Sequence, residues 1–302
     1  FKILAKMNLP NFMVIGAAKS ATTTLYNILK QHDAIFTPTF KEPHFFNIDK
    51  NFNKGLAWYK KTYYSKANHH KAIFDFTPTY LYSSNCAERI YKNLGSEMKF
   101  IIILRNPVDR AYSHYLHSKR DGHENSDFKS AISNEKNRIE ISRKKKDLLS
   151  ELRCSYLAQG KYCDMISAYL KYYPLNNFLI INFESEIVNN LAITIAKISK
   201  FLDLDLSNLE LNFHSNKSGK SRFSFIQKLM LKNSFLREIV KFFFSPLNRQ
   251  IIRNKIKNLN KVDYSFVPLS EELKKDLFKK YFMKDVLKLE KLIGKSMNWN
   301  SL

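Results

Sequence analysis

Val14–His32 reads VIGAAKSATTTLYNILKQH: a short apolar run of strand type, a turn entered at Gly16, and a run with helical apolar spacing. Strand, tight turn and helix in that order open a βαβ unit, so the stretch points to a parallel sheet. A plain connection needs no lysine, serine and threonines, yet Lys19, Ser20, Thr22, Thr23 and Thr24 fill this turn. A helix starting near Ala21–Thr24 leaves its first backbone N–H groups unpaired, with the positive end of the helix dipole behind them. Adding a mobile cation and hydroxyl donors suits such a turn to a phosphate-like anion.

Working outward, β-rich apolar runs recur at Phe12–Ile15, Lys71–Phe76, Phe100–Leu104 and Phe178–Asn182, each followed by helical spacing. That alternation predicts an α/β fold with a central, mainly parallel sheet flanked by helices. In KFIIILRNPVDRAYSHYLH a buried strand ends at Leu104, Asn106 caps, and Pro107 suits the first helical turn. Ligands in open α/β sheets bind beyond the strands' carboxyl ends, so Lys19–Thr24 and Arg105 are expected to face one crevice. Between Asp121 and Glu151 the polar, charged sequence predicts a solvated helix–loop insertion; Leu152–Tyr173 reads as one long helix and Asn190–Leu202 as another. Asn212–Ser224, NFHSNKSGKSRFS, is a basic loop of small residues. SFIQKLMLKNSFLREIVKFFFSPLNR, Ser224–Arg249, is basic and strongly apolar and reads as an amphipathic helix pair on the core, with substrate contact or peripheral membrane contact through Ser234–Phe244 as the other reading. PLSEELKKDLFKKYFMKDVLKLEKLIG predicts an amphipathic helical region with a serine cap and a glycine stop. With no repeat or linker evident, the expectation is a single domain over 1–302, its core at 11–225 and a C-terminal helical region at 225–302.

The 302 residues are 44% hydrophobic and 14% aromatic, enough for a substantial core. No window nears the roughly 18 apolar residues of a membrane-spanning helix, and no signal-peptide pattern opens the chain, which begins at Phe1. Cys86, Cys154 and Cys163 form neither an even disulfide set nor a metal pair, and fit reduced, buried thiols in a cytoplasmic setting. The formal charge of +23 favours anionic partners, although lysine is spread along the whole chain. A Walker A loop would read GxxxxGK[ST]; here Lys19 follows Gly16 by three residues, and the Phe100 strand ends in LRNP rather than an aspartate for magnesium. A metal-dependent kinase is disfavoured, and no Cys, His or carboxylate spacing resembles a metal site.

GAAKSATTTL resembles the 5′-phosphosulfate loop of sulfotransferases that use 3′-phosphoadenosine 5′-phosphosulfate (PAPS), and ILRNPVDRAYSHY resembles their 3′-phosphate-binding segment. KEPHFFN with KGLAWYKKTYY is similar to the heparan sulfate N- and 3-O-sulfotransferase branch, SNKSGKSR to the late basic loop, and the C-terminal pattern to bacterial members. The resemblance implies a P-loop NTPase-like three-layer fold and sulfuryl transfer from PAPS, leaving adenosine 3′,5′-bisphosphate (PAP), without metal. It implies that Lys19 meets the bridging oxygen and 5′-phosphate, with Ser20, Ala21, Thr22, Thr23 and Thr24 as further contacts. Arg105 and Ser113 match the 3′-phosphate pair, and Lys217, Gly219, Lys220, Ser221 and Arg222 the late loop. Glu42 matches the general base and His44 the nearby histidine, with exchanged roles as the alternative; Asp75 and Tyr80 are expected to line the acceptor cleft. Two departures stand out: Ala21 replaces a customary glycine, and Phe76 replaces the lysine that follows the acidic residue in FDFTPTY.

The resulting expectation is an enzyme sulfating a hydroxyl, or less readily an amine, of a saccharide or glycolipid. The alternative is a non-catalytic basic module binding acidic polysaccharide or nucleic acid. The aromatic platforms and finger spacings of nucleic-acid readers are not evident, so nucleic acid is not an expected partner. The sequence sets no oligomeric state.

Overall fold

The computed structural model describes residues 8–211, 219–221, 261–263 and 267–299. Five strands form one parallel sheet: β1 Phe12–Gly16, β2 Ile35–Phe36, β3 Ala72–Phe76, β4 Lys99–Leu104 and β5 Phe178–Asn182, in the order β2-β3-β1-β4-β5. Every residue of β1 and β3 is buried, as are the last five of β4. Parallel strands covered on both faces need continuous apolar runs rather than alternation, which is what these segments contain. Phe12 pairs with Phe74 and Lys99, and β4 runs in register with β5 from Phe100–Phe178 to Leu104–Asn182.

The helices are α1 Thr22–Leu29, α2 Gly55–Tyr63, α3 Cys86–Leu94, α4 Pro107–Arg120, α5 Phe128–Ser133, α6 Glu135–Lys144, α7 Leu148–Cys154, α8 Tyr162–Leu170, α9 Leu191–Leu202, α10 Glu271–Tyr281 and α11 Met283–Ile293. Leu25, Ile28 and Leu29 of α1 and Ile195, Ile198 and Leu202 of α9 pack on Val14, Phe74, Phe76, Ile101 and Ile181. Phe100 meets Tyr169 of α8, with ring centroids 5.5 Å apart. Among the described residues no helix is long and apolar enough to cross a membrane.

The chain divides into two compact units, residues 1–111, 157–215 and 271–302, and residues 112–156 and 216–270. The first holds the five-stranded sheet. In the second, the expected charged insertion forms α5–α7, with α5 capped by Asp127 and α7 by Asp147, each accepting a backbone N–H at 3.0 Å. Glu124 anchors this unit from the inside, accepting from Arg138 at 2.7 Å and from Tyr156 at 2.9 Å. Two short strands, β6 Gly219–Ser221 and β7 Lys261–Asp263, pair antiparallel.

Leu152–Tyr173 is not the single helix that its spacing predicts. α7 stops at Cys154, where Ser155 takes φ −83° and ψ 69°, and α8 starts only at Tyr162. Gly160 sits between them at a close approach: a Cβ there would lie 2.9 Å from Phe282 Cε1. The C-terminal amphipathic region is likewise two helices, parted at fully buried Phe282 and ended by Gly294 at φ 64°. The expected helix pair over Ser224–Arg249 lies outside the described residues.

Candidate active site

Loops leaving the carboxyl ends of the first unit's strands build the site. β1 ends at Gly16, where no Cβ fits, because one would lie 2.5 Å from Leu81 Cδ2. The chain then climbs through Lys19 at φ 74° and Ala21 at φ 57° into α1. Ala21 therefore adopts the left-handed conformation that glycine takes without strain, at a cost of about 1–2 kcal/mol for its methyl group. No side chain caps α1, although the first residues of a helix carry unpaired N–H groups. Ser20 is fully buried, and its Oγ has no hydrogen-bond partner among the described residues. Thr22 and Thr24 are buried in the first turn of α1, and Thr23 is exposed.

Arg105, just past β4, donates to the Lys19 carbonyl at 3.1 Å and stacks on Phe183, 4.7 Å from the ring centre. Its buried Nε has no partner among the described residues. Asn106 caps α4 as its sequence predicts, accepting from Val108 N–H at 3.0 Å and Asp109 N–H at 3.3 Å. The turn is braced from behind: Tyr162 donates to the Arg105 carbonyl at 2.8 Å, and Glu184 accepts from Asn106 N–H at 2.8 Å and from Trp299 at 3.0 Å. Ser113 is half-buried on α4 and belongs to the second unit.

Glu42 and His44 occupy the loop after β2, both with positive φ, 65° and 52°. Glu42 N–H donates to the Phe76 carbonyl at 3.1 Å, which ties that strained residue to the end of β3. Lys41 Nζ lies 2.8 Å from Glu42 Oε1 and 3.3 Å from Thr22 Oγ1, and His44 Nε2 lies 3.6 Å from Glu42 Oε2. Burial works against ionisation of Glu42, but Lys41 and then His44 outweigh it and hold the carboxyl well below its ordinary range. His44 Nδ1 is held from the other side by Asn47 at 3.3 Å and Thr79 at 3.4 Å.

Beneath this loop Asp75 is fully buried, accepting from Tyr59 at 2.5 Å, Thr77 at 2.6 Å and Tyr80 at 3.1 Å. Burial raises its pKa, and the three hydroxyls offset only part of that. The Tyr80 hydroxyl in turn accepts the N–H groups of Phe45 at 2.9 Å and Phe46 at 3.3 Å. Asp75 and Tyr80 thus fix the backbone that carries His44. Phe76, where the resemblance expects a lysine, is fully buried and meets Tyr26 edge-on at 5.3 Å.

The structure brings Lys19 and Arg105 together at one turn and links Thr22, through Lys41, to Glu42 and His44. Gly219, Lys220 and Ser221 form β6 in the second unit, opposite Asp263, Val262 and Lys261. Lys217 and Arg222 lie outside the described residues. Sequence reasoning missed Lys41, Asn47 and Thr79. Lys41 and Asn47 open and close the quoted KEPHFFN, but one more lysine in so basic a chain and a lone asparagine carry no signal; Thr79, 35 positions from His44, reaches it only through the fold.

A family model described as sulfotransferase domain matches residues 9–261, which run through both units. The human bifunctional heparan sulfate N-deacetylase/N-sulfotransferase 2 is 31% identical over 205 residues, 65% of this chain and 22% of that protein. The human heparan sulfate glucosamine 3-O-sulfotransferase 5 is 28% identical over 212 residues, 69% of this chain and 57% of that protein. The matched region is thus about a fifth of one relative's length and somewhat over half of the other's. The crystal structure of a sulfotransferase from Alicyclobacillus acidocaldarius superposes with a TM-score of 0.65 at 23% identity, covering 96% of this chain and 98% of its own. That likeness establishes the P-loop-like α/β fold.

Proposed function

The chain belongs to the sulfotransferase domain family, and on that premise we propose that it transfers a sulfuryl group from PAPS to a hydroxyl, or less readily an amine, of a saccharide or glycolipid. The observation that carries the reading is the loop ahead of α1, where fully buried Ser20 holds a hydroxyl without a partner among the described residues, beside Lys19 and a helix start that no described side chain caps. Buried polar atoms are nearly always paired, so an unpaired one in an anion-binding turn fits an acceptor oxygen supplied from outside. The unpaired Nε of Arg105 supports the same reading on the 3′-phosphate side. The heparan sulfate relatives support a saccharide acceptor.

PAPS supplies the sulfuryl group and a bisphosphate that leaves. In this reading Lys19 neutralises the leaving 5′-phosphate, and Ser20 to Thr24 orient it through N–H and hydroxyl donors. By the resemblance Arg105 and Ser113 are the 3′-phosphate residues, and Lys217, Gly219, Lys220, Ser221 and Arg222 are further nucleotide contacts. Glu42 accepts the acceptor's proton, and His44, held at Nδ1 by Asn47 and Thr79, orients the carboxylate. Asp75 and Tyr80 serve the acceptor cleft by fixing its backbone. Protein cations carry the charge neutralisation without a metal.

The test is the thermal shift of wild type and Lys19→Ala with PAP and, separately, Mg-ATP. A ligand at 100 times its Kd stabilises the folded state by about 2.7 kcal/mol, or about 4 K for this chain. Wild type is expected to respond to PAP, Lys19→Ala much less, and Mg-ATP less than PAP. Saturating PAP without a shift overturns the proposal; a shift licenses assays with labelled PAPS and saccharide acceptors.

A further inference from the structure

Lys41 and Glu42 are consecutive, and side chains of consecutive residues in extended chain point to opposite sides. Here the left-handed backbone at Glu42, φ 65°, and again at His44, φ 52°, breaks that alternation. Lys41 Nζ thereby contacts both Glu42 Oε1 and Thr22 Oγ1, the latter on the first helical residue of α1. A non-glycine residue pays about 1–2 kcal/mol for such a conformation.

The Lys41 side chain is only 16% exposed. Its two contacts leave one of three ammonium N–H donors without a partner among the described residues. The ammonium stands between the Glu42 carboxylate and the first residue of α1, beside the turn in which Ser20 Oγ has no partner among the described residues. An anion seated on that turn would offer oxygens to both.

We propose that Lys41 is the cation that recognises the transferring sulfonate, distinct from the loop cation Lys19 that meets the leaving phosphate. The proposal rests on the sulfotransferase reading. In the ligand-free protein Lys41 is shared between Glu42 and Thr22; with donor bound it serves the sulfonate oxygens. As the acceptor oxygen bonds to sulfur, the sulfur–oxygen bond to the 5′-phosphate breaks with its electron pair going to that phosphate. The acceptor's proton passes to Glu42. Protonation of Glu42 removes the charge that competes for Lys41 while Lys41 holds the equatorial sulfonate oxygens. This also gives a cation to a site in which Phe76 stands in place of the expected lysine.

PAPS and PAP share the nucleotide and both phosphate positions and differ in the sulfonate, so their affinities separate the two cations. Calorimetric titration of wild type, Lys41→Met and Lys41→Arg with each, without acceptor, is the test. Lys41→Met is expected to weaken PAPS tenfold or more, about 1.4 kcal/mol, and PAP less than twofold. Lys41→Arg keeps PAPS within about threefold, since the charge and donors remain. Circular dichroism checks the fold of each variant, and Lys41→Gln, neutral and polar, gives the same reading if the Met variant does not fold. Equal weakening of PAPS and PAP, or no weakening of either, overturns the role of Lys41 while leaving the enzyme's function standing. Failure of wild type to bind either nucleotide overturns the underlying reading, and this proposal with it.

Discussion

Ser20→Ala should improve the protein's stability and damage its ligand binding together. Ser20 is fully buried and its Oγ lacks a partner among the described residues, so the ligand-free protein bears the desolvation of a hydroxyl with nothing in return. That cost is about 1–3 kcal/mol; allowing for the packing lost with the oxygen, removal should stabilise the free protein by about 1 kcal/mol. Unfolding entropy near 2.1 cal/mol/K per residue gives about 0.6 kcal/mol per kelvin over 302 residues, so the midpoint should rise by about 1–2 K. A hydroxyl bonded to a phosphate oxygen contributes about 1.5–3 kcal/mol, so PAP affinity should fall by about 10- to 150-fold. Scanning calorimetry without ligand and titration calorimetry with PAP read the two effects on one preparation. A lowered midpoint with PAP affinity within twofold of wild type would refute the reasoning, because Ser20 would then be an ordinary core hydroxyl.

Ala21→Gly relieves a left-handed alanine at φ 57° but adds unfolded-state freedom; the balance should stabilise by about 0.5–1 kcal/mol, checked by urea unfolding. Trp299→Ala removes a side chain 2% exposed that also donates to Glu184, and should cost about 3–5 kcal/mol, lowering the midpoint by about 5–8 K. Because the folded Glu42 carboxyl lies well below 4.5, its stabilisation is fully present above that value and is lost as pH falls through the folded pKa. Wild type should therefore exceed Glu42→Gln in midpoint at pH 7, the gap closing under strong acid. The pH profile of wild-type kcat/KM should likewise show no acid limb from Glu42 between pH 5 and pH 7, and a carboxylate limb in that window would contradict the ion pair with Lys41.

What was legible in the sequence was local. β1, β3 and β4 declare themselves because strands covered on both faces must be continuously apolar. Asn106 and Pro107 announce a helix start, and Lys19, Ser20 and Arg105 are visible because a turn and a strand end place them within a few residues of their strands. β2 escaped notice at two residues, too short for any periodicity. The break between α7 and α8 was hidden because Gly160 yields to Phe282, more than a hundred positions away.

Sequence alone determined four of the five parallel strands, the helices that follow them and the strand–turn–helix at Lys19, since apolar period, capping and backbone geometry act over a few residues. Only the tertiary structure decided what surrounds that turn. It set Lys41 between Thr22 and Glu42, buried Asp75 under Tyr59 and Tyr80, and brought Trp299 onto Glu184 behind Arg105. Hydrogen bonds and ion pairs act over about 3 Å whatever the separation along the chain, and no local pattern records which distant residues folding will bring that close.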